Sequence, residues 1–356
     1  SQTIGGLTVA TLAANNATAT NKIINIGAGQ PLNIVTNASG NNVLGQEGTH
    51  LEVSGAGAMN ITTPNGGIYI YGRRASSSPY WGMDLSQLGY FSAAVTNILV
   101  CSGNGAQRQG LLALALTNDI TARTFYAGFS TDQGSTEALI GLGYSNALNI
   151  ANLYLGYGKA NGIMRFNGGV TGGSVTLQGT NGSRGNLSLG TFTVSGSNTR
   201  PTGTFNITNT GCSITASLDQ LVLGILANNA GSAPVGGFGD FTFNAGLVDA
   251  NTMILGQSTS AGATGVGAGT MTMNGGVLNV NSNCILGQRI GSGTVTGKLS
   301  VVGGSANIYT NLLDGGGVSV LTLDGGTLDM HGHSIGYTTT NVINVLNFRS
   351  GTLMNV

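Results

Sequence analysis

Apolar and polar residues alternate in short runs along this chain, and one such run recurs as a phrase. The phrase is an apolar residue, a spacer, a second apolar residue, a two-residue gap and a glycine. Its copies begin at Met164, Phe241, Met271, Leu299, Leu321 and Leu346. From Phe241 onward the copies recur roughly every 25 residues, which is the length of one solenoid coil. Alternation with a period of two predicts strands that bury one face, so the phrase predicts the coils of a β-solenoid.

A second element, an apolar residue followed by glycine, ends the predicted coils. It occurs at Leu223-Gly224, Leu255-Gly256 and Leu286-Gly287. In the unit that starts at Met271, alternation points Met271 and Met273 inward. Gly275 and Gly276 follow them, at a corner where a Cβ would collide or a positive φ is needed. Each coil therefore reads as strand, corner, strand, corner.

We expect an all-β chain that forms a single parallel β-helix, or β-solenoid, over residues 1–356. Glycine and asparagine interrupt nearly every window that could form a helix. The coils are expected to be less regular over 1–147, with a protruding loop at 72–82, and more regular over 148–356. At about 25 residues per coil the chain would make about 14 right-handed coils.

Charge is scarce, and this excludes several classes of partner. Lys and Arg number 12 and Asp and Glu number 12, so the formal net charge is zero. Without a basic stripe, nucleic-acid binding is not expected. The longest apolar run, residues 111–116, is far shorter than the about 20 residues of a membrane-spanning helix. Cys101, Cys212 and Cys284 are widely spaced, which favours buried thiols over a disulfide or zinc site, and we expect no cofactor.

Several stretches of the chain carry a family resemblance. They are the Leu-Gly-Gln steps at 255–257 and 286–288, Gly-Thr-Met-Thr-Met-Asn-Gly-Gly at 269–276, and Leu-Thr-Leu-Asp-Gly-Gly-Thr-Leu-Asp at 321–329. They resemble the bacterial autotransporter-associated β-strand repeat proteins, most strongly from about residue 148 to residue 352. The resemblance implies a secreted adhesin-like protein, extracellular or on the bacterial cell surface. It says little about biochemical role, because that family is defined by repeats.

Two clusters are candidate binding sites. Asp329, His331 and His333 alternate, so their side chains could share one face and bind a metal ion; the alternative is a solvated outer face. Arginine and aromatic residues are over-represented at binding centres, and the loop at 72–82 contains both kinds. A loop that merely covers the flank of the solenoid is the alternative. The residues of this possible ligand loop are Arg73, Arg74, Tyr80 and Trp81.

A polysaccharide-binding or polysaccharide-degrading β-helix is the main alternative function. A glycosidase site needs carboxylates that converge on one face. The acidic residues of the second half are Asp219, Asp240, Asp249, Asp314, Asp324 and Asp329. They do not recur at one position of the repeat, and no nucleophile motif accompanies them, so we expect no enzyme.

The two ends of the chain carry the leading functional hypothesis. The last copy of the phrase stops before the apolar-glycine step, and the first residues are already strand-like. Uncovered end coils recruit other chains, so we expect a structural or adhesive subunit that polymerises head to tail. The expected assembly residues are Ile4, Leu7, Val9, Leu346, Phe348, Leu353 and Val356. The alternative is that the chain is one segment of a longer autotransporter-like passenger.

Overall fold

The computed structural model describes residues 2–9, 20–35, 41–44, 48–74, 80–102, 108–131, 136–229, 235–337 and 341–356. The regular secondary structure of these residues is strand, apart from one 3₁₀ turn at Thr180–Gly182. The strands belong to one sheet whose pairings are nearly all parallel, and it winds into a β-solenoid. The predicted fold class is therefore confirmed. Within the described residues, no helix is long and apolar enough to span a membrane.

In chain order the strands are β1 (Gln2–Ile4), β2 (Thr8–Val9), β3 (Thr20–Asn25), β4 (Pro31–Val35), β5 (Asn41–Leu44), β6 (Thr49–Ile70), β7 (Arg73–Arg74), β8 (Trp81–Ser102), β9 (Arg108–Ala113), β10 (Thr117–Ser130), β11 (Thr136–Leu142), β12 (Ser145–Gly158), β13 (Ala160–Phe166), β14 (Ser174–Gln178), β15 (Gly185–Phe192), β16 (Thr202–Ile207), β17 (Ser213–Leu226), β18 (Phe238–Phe243), β19 (Gly246–Ser258), β20 (Val266–Met273), β21 (Val277–Gln288), β22 (Thr294–Val301), β23 (Ser305–Ile308), β24 (Leu312–Asp314), β25 (Val318–Asp329) and β26 (Val345–Met354).

The coil has three strand segments, which stack into three faces. Face A contains β1, β4, β14 and β23, face B contains β2, β5, β15 and β24, and face C contains β3, β9, β11, β13, β16, β18, β20 and β22. Longer strands bend from one face to the next. β6, for example, pairs with β3, β4 and β5 in turn.

The number of coils differs from the prediction. On face B, ten successive pairings lead from Thr8 to Leu313. The average coil is therefore roughly 30 residues long, within the usual range of solenoid repeats. The solenoid has about 11 turns, so the prediction of about 14 was wrong. The prediction used the short spacings near the end of the chain, whereas the steps from Tyr154 to Ser188 and from Ser188 to Val222 are longer.

The recurring phrase marks one vertical column of the core. Its six starting residues lie in one column on face C, where Phe205, which does not begin a copy, pairs between Met164 and Phe241 and is followed by Met271, Leu299, Leu321 and Leu346. All of them except Leu346 are fully buried. The rings of Phe205 and Phe241 stack with centroids 5.1 Å apart. The alternation in the sequence therefore predicted correctly which of these side chains point into the core.

The apolar-glycine steps are corners that only glycine fits. Gly224, Gly256 and Gly287 have φ angles of +71°, +69° and +67°. A Cβ at Gly256 would meet the carbonyl oxygen of Thr296 on face C. Positive φ and a blocked Cβ position together explain why the step recurs, as the sequence predicted.

Uncharged side chains join successive coils on the outside of the solenoid. Side-chain amides donate from Asn60 to Asn33, Asn186 to Asn152, Asn274 to Asn244 and Asn307 to Asn279, at 2.9 to 3.0 Å. Such ladders satisfy polar groups without charge. The three cysteines are free and buried, and burial raises the pKa of the Cys284 thiol to about 12.

Candidate functional site: an open terminal coil and a corner groove

Within the described residues no strand stacks on β26, and this open coil exposes side chains in core register. Strand β26 pairs with β25, and this register sets Leu346, Phe348 and Leu353 over the buried Leu321, Leu323 and Leu328. The three residues of β26 are 45%, 48% and 39% exposed, whereas those beneath them are at most 1% exposed. Core-register side chains therefore face solvent on this side.

The exposed edge also forms a shallow depression. Its volume is about 250 Å³, and Leu323, Phe348 and Leu353 supply its apolar lining. Arg349 and Asp324 form an exposed ion pair at 3.4 Å beside it, and Val356, at 65% exposure, lies just past the strand. Four predicted assembly residues, Leu346, Phe348, Leu353 and Val356, are thus exposed at this end.

The first coils also carry unpaired edges within the described residues. There, β1 pairs with β4, β2 with β5 and β3 with β6, each on one edge. Ile4 and Leu7 are partly buried against the core. Val9 pairs through its backbone with Leu44, and its side chain lies outside the described residues.

Of the candidate metal residues, the structure brings together Asp329 and His331, whose Nε2 lies 3.7 Å from Oδ2 of Asp329. Strand β25 ends at Asp329 and the chain turns at His331, whose φ is +47°, so the alternation needed to align His333 is lost. Oδ1 of Asp329 accepts hydrogen bonds from the His331 N–H and the Asn355 side chain, both at 2.9 Å, and they hold the pKa of Asp329 below its usual value. The His331 ring stacks on Tyr309. No three potential ligands converge in the described part of the chain.

The predicted loop at 72–82 is partly strand. Arg73–Arg74 forms β7, antiparallel to the start of β9, and β8 begins at Trp81. The Tyr80 hydroxyl donates to Glu137, and burial together with this bond raises its pKa. Trp81 is half-buried, its ring edge-on to His50 at 5.3 Å. The two ends of the predicted loop therefore have backbone and ring partners, whereas residues 75–79 and the side chains of Arg73 and Arg74 lie outside the described residues.

The acidic residues of the second half accept hydrogen bonds, some from another coil and some from a residue two positions along the chain. Arg184 donates to Oδ2 of Asp249 at 2.6 Å and to the Leu218 carbonyl at 3.0 Å. Asn251 donates to Asp219 at 2.9 Å, and Asp240, Asp314, Asp324 and Asp329 also accept hydrogen bonds from nearby residues. These contacts link neighbouring strands and turns.

A groove that the sequence did not reveal lies at the corner between faces C and A. Its volume is about 560 Å³. Four successive coils supply its walls, at residues 84–87, 111–116, 143–144 and 167–170. The lining residues are Asp84, Ser86, Gln87, Leu111, Ala113, Leu116, Gly143, Tyr144, Asn167, Gly168, Gly169 and Val170.

Buried asparagines fix the backbone of this corner groove. Asn146 accepts from the Gly143 N–H at 3.0 Å and donates to the Gly143 carbonyl at 2.9 Å. Asn118 donates to Asn146 at 2.9 Å and to the Ala115 carbonyl at 2.7 Å. Because these bonds are buried and mutually supporting, the wall that carries Tyr144 is preorganised.

A cluster of aromatic side chains lies on the outer surface of face B and spans two neighbouring coils. Tyr126 stacks on Tyr154 with centroids 4.9 Å apart, and Phe129 stacks on Tyr157 at 5.5 Å. Burial and the neighbouring tyrosines raise the pKa of Tyr126 to about 12. The signal was present in the sequence, since the two aromatic pairs have the same internal spacing and recur one coil apart.

Comparison with known proteins does not assign the chain to a family. The chain matches no protein-family model, no curated protein and no solved structure. The resemblance to autotransporter-associated repeat proteins therefore stays a prediction, and what is shown of the molecule is a β-solenoid fold.

Proposed function

We propose that this protein is a non-enzymatic structural β-solenoid that assembles end to end into an extracellular filament. A second copy of the chain covers the open coil at β26. The observation that carries this proposal is the half-exposure of Leu346, Phe348 and Leu353 in register with fully buried residues. The extracellular location rests on the repeat resemblance.

Two kinds of group on β26 favour an added coil. Finishing the burial of a half-exposed Leu or Phe contributes about 1 kcal/mol per side chain. The free edge of β26 also presents backbone groups that pair with another strand. Both contributions depend on a partner whose strands continue the same parallel stack.

A second copy of the chain has the matching shape. Its β1 and β3 present strand edges on faces A and C, the two faces that β26 occupies. The formal net charge of zero gives no long-range repulsion between copies. Contact between unlike ends does not close on a straight axis, so it generates a filament.

Electron microscopy and sedimentation velocity over a range of protein concentrations test the proposal. We expect rods that lengthen with concentration, and we expect Phe348→Lys to leave short particles. Tyr144→Lys is the matched control, since Tyr144 is 48% exposed and lies between β11 and β12, in the middle of the solenoid, and it should keep the long rods. Monodisperse single copies of the unmodified chain at all concentrations would contradict the proposal.

A further inference from the structure

The corner groove has the size and construction of a ligand site, and it is independent of the open coil. Its volume of about 560 Å³ falls in the range of about 300–1,000 Å³ that is usual for ligand pockets. Its walls come from residues 84–170, distant in sequence from β26. The buried Asn118 and Asn146 hold the wall in place.

The lining selects for an uncharged, hydroxyl-rich ligand. Of the twelve lining residues, Asp84 alone is charged, so the groove offers an anion no counter-charge. A carboxylate accepts hydrogen bonds, whereas the amides of Gln87 and Asn167 both donate and accept. Tyr144 and Leu116, at 48% and 42% exposure, supply apolar surface. Acceptors, amides and an aromatic face together match a sugar ring, which has hydroxyls at its rim and C–H groups on its faces.

The groove continues along the solenoid axis. A second cavity of about 280 Å³ shares Asn167 and Gly168 with it and is also lined by Leu139 and Arg165. Because the two cavities adjoin across successive coils, an extended ligand can occupy both. Arg165 is the only charged residue lining this second cavity, so the two cavities together carry one negative and one positive side chain and no net charge. Its guanidinium also donates hydrogen bonds to hydroxyl oxygens.

We propose that the corner groove binds an uncharged oligosaccharide along the solenoid axis, with one sugar ring packed on Tyr144 and its hydroxyls hydrogen-bonded to Asp84, Gln87 and Asn167. A calcium ion fits less well, since it takes six to eight oxygen ligands and Asp84 is the only carboxylate here.

Binding to an array of uncharged and acidic oligosaccharides, followed by calorimetric titration of the strongest ligand, tests this proposal. We expect an uncharged oligosaccharide to bind and Tyr144→Ala to weaken it about tenfold, because the sugar loses its stacking surface. Asp84→Asn, which keeps an acceptor for the Ser86 N–H, should weaken binding by a similar factor. Tyr337→Ala, an exposed tyrosine outside the groove, should leave affinity unchanged.

Three results would overturn the proposal. The first is that no uncharged oligosaccharide on the array binds the protein. The second is that Tyr144→Ala leaves the affinity unchanged. The third is that a chelator abolishes binding, because calcium then occupies Asp84. Thermal unfolding of each variant shows whether the fold is kept. Phe348→Lys should bind the oligosaccharide normally, so failure of filament assembly and failure of sugar binding are separate outcomes.

Discussion

Strands β25 and β26 carry the same pattern of residues in two different environments. Leu321 and Leu323 of β25 are at most 1% exposed, whereas their direct partners Leu346 and Phe348 in β26 are 45% and 48% exposed. Both strands alternate apolar and polar residues, and both pair in parallel. The difference is that β25 has a coil on each side.

This contrast shows where the stability of a solenoid comes from. Each coil buries its apolar face only through its neighbours, so an apolar residue is core or surface according to what stacks on it. The interior of the rod should therefore respond strongly to substitution. The terminal coil should respond weakly until something covers it.

The largest expected effect is at the core column. Leu321→Ala should lower the free energy of unfolding by about 3 kcal/mol, because a fully buried leucine leaves a cavity. Leu346→Ala should cost about 1 kcal/mol, since about half of its side chain is already exposed. Urea unfolding at low protein concentration measures both. Equal losses at the two positions would contradict the contrast between interior and terminal coils.

A corner comparison separates steric blocking from backbone strain. Gly256 and Gly172 both have φ of +69°, but a Cβ at Gly256 would meet Thr296, whereas nothing lies within 4 Å of a Cβ at Gly172. Gly256→Ala should therefore cost about 2 kcal/mol or more and Gly172→Ala about 1 kcal/mol, the cost of the left-handed backbone alone. Thermal unfolding measures both losses of stability. A larger loss for Gly172→Ala than for Gly256→Ala would contradict the close approach of Gly256 to Thr296.

Ion pairs allow the same comparison between interior and end. Arg184 and Asp249 are 30% and 26% exposed at 2.6 Å, whereas Arg349 and Asp324 are 68% and 36% exposed at 3.4 Å. A double-mutant cycle with Met for Arg and Asn for Asp should give a coupling energy of about 1 kcal/mol for the first pair and near zero for the second. A larger coupling energy for Arg349 and Asp324 than for Arg184 and Asp249 would contradict the contrast between the interior and the end of the solenoid.

The smallest effect is a pH dependence confined to the last turn. Hydrogen bonds from His331 and Asn355 lower the pKa of Asp329 from 3.8. A group with a lowered folded pKa stabilises the fold above its unfolded pKa, and this contribution disappears as pH falls through the folded value. The amide resonance of His331 should report the loss in acid below pH 3.8. In Asp329→Asn that transition should be absent, and its persistence would assign the effect to another group.

The fold was predictable because its determinants are local and repeated. The phrase beginning at Met271 and the glycine step at Gly256 encode alternation and a left-handed corner, and both recur in register. The number of coils was not predictable from the phrase spacing, because insertions such as the turn at Thr180–Gly182 lengthen individual coils without changing the core.

The candidate sites were harder to predict, for a physical reason. The corner groove joins Asp84, Leu116, Tyr144 and Asn167 from four coils, and no short motif links residues that far apart. Conversely, the spacing of Asp329 and His333 suggested one face, but the chain leaves the strand at His331. The open edge at Leu346 was predictable because the phrase itself identified its core register.

Amide hydrogen exchange in β25 and β26 as a function of protein concentration tests the central claim most directly. Strand β25 is paired on both sides and should be protected at every concentration. We predict that protection of β26, over Val345–Met354, rises with concentration as a second copy covers its edge. Exchange in β26 that stays fast and independent of concentration would contradict end-to-end assembly through the open coil.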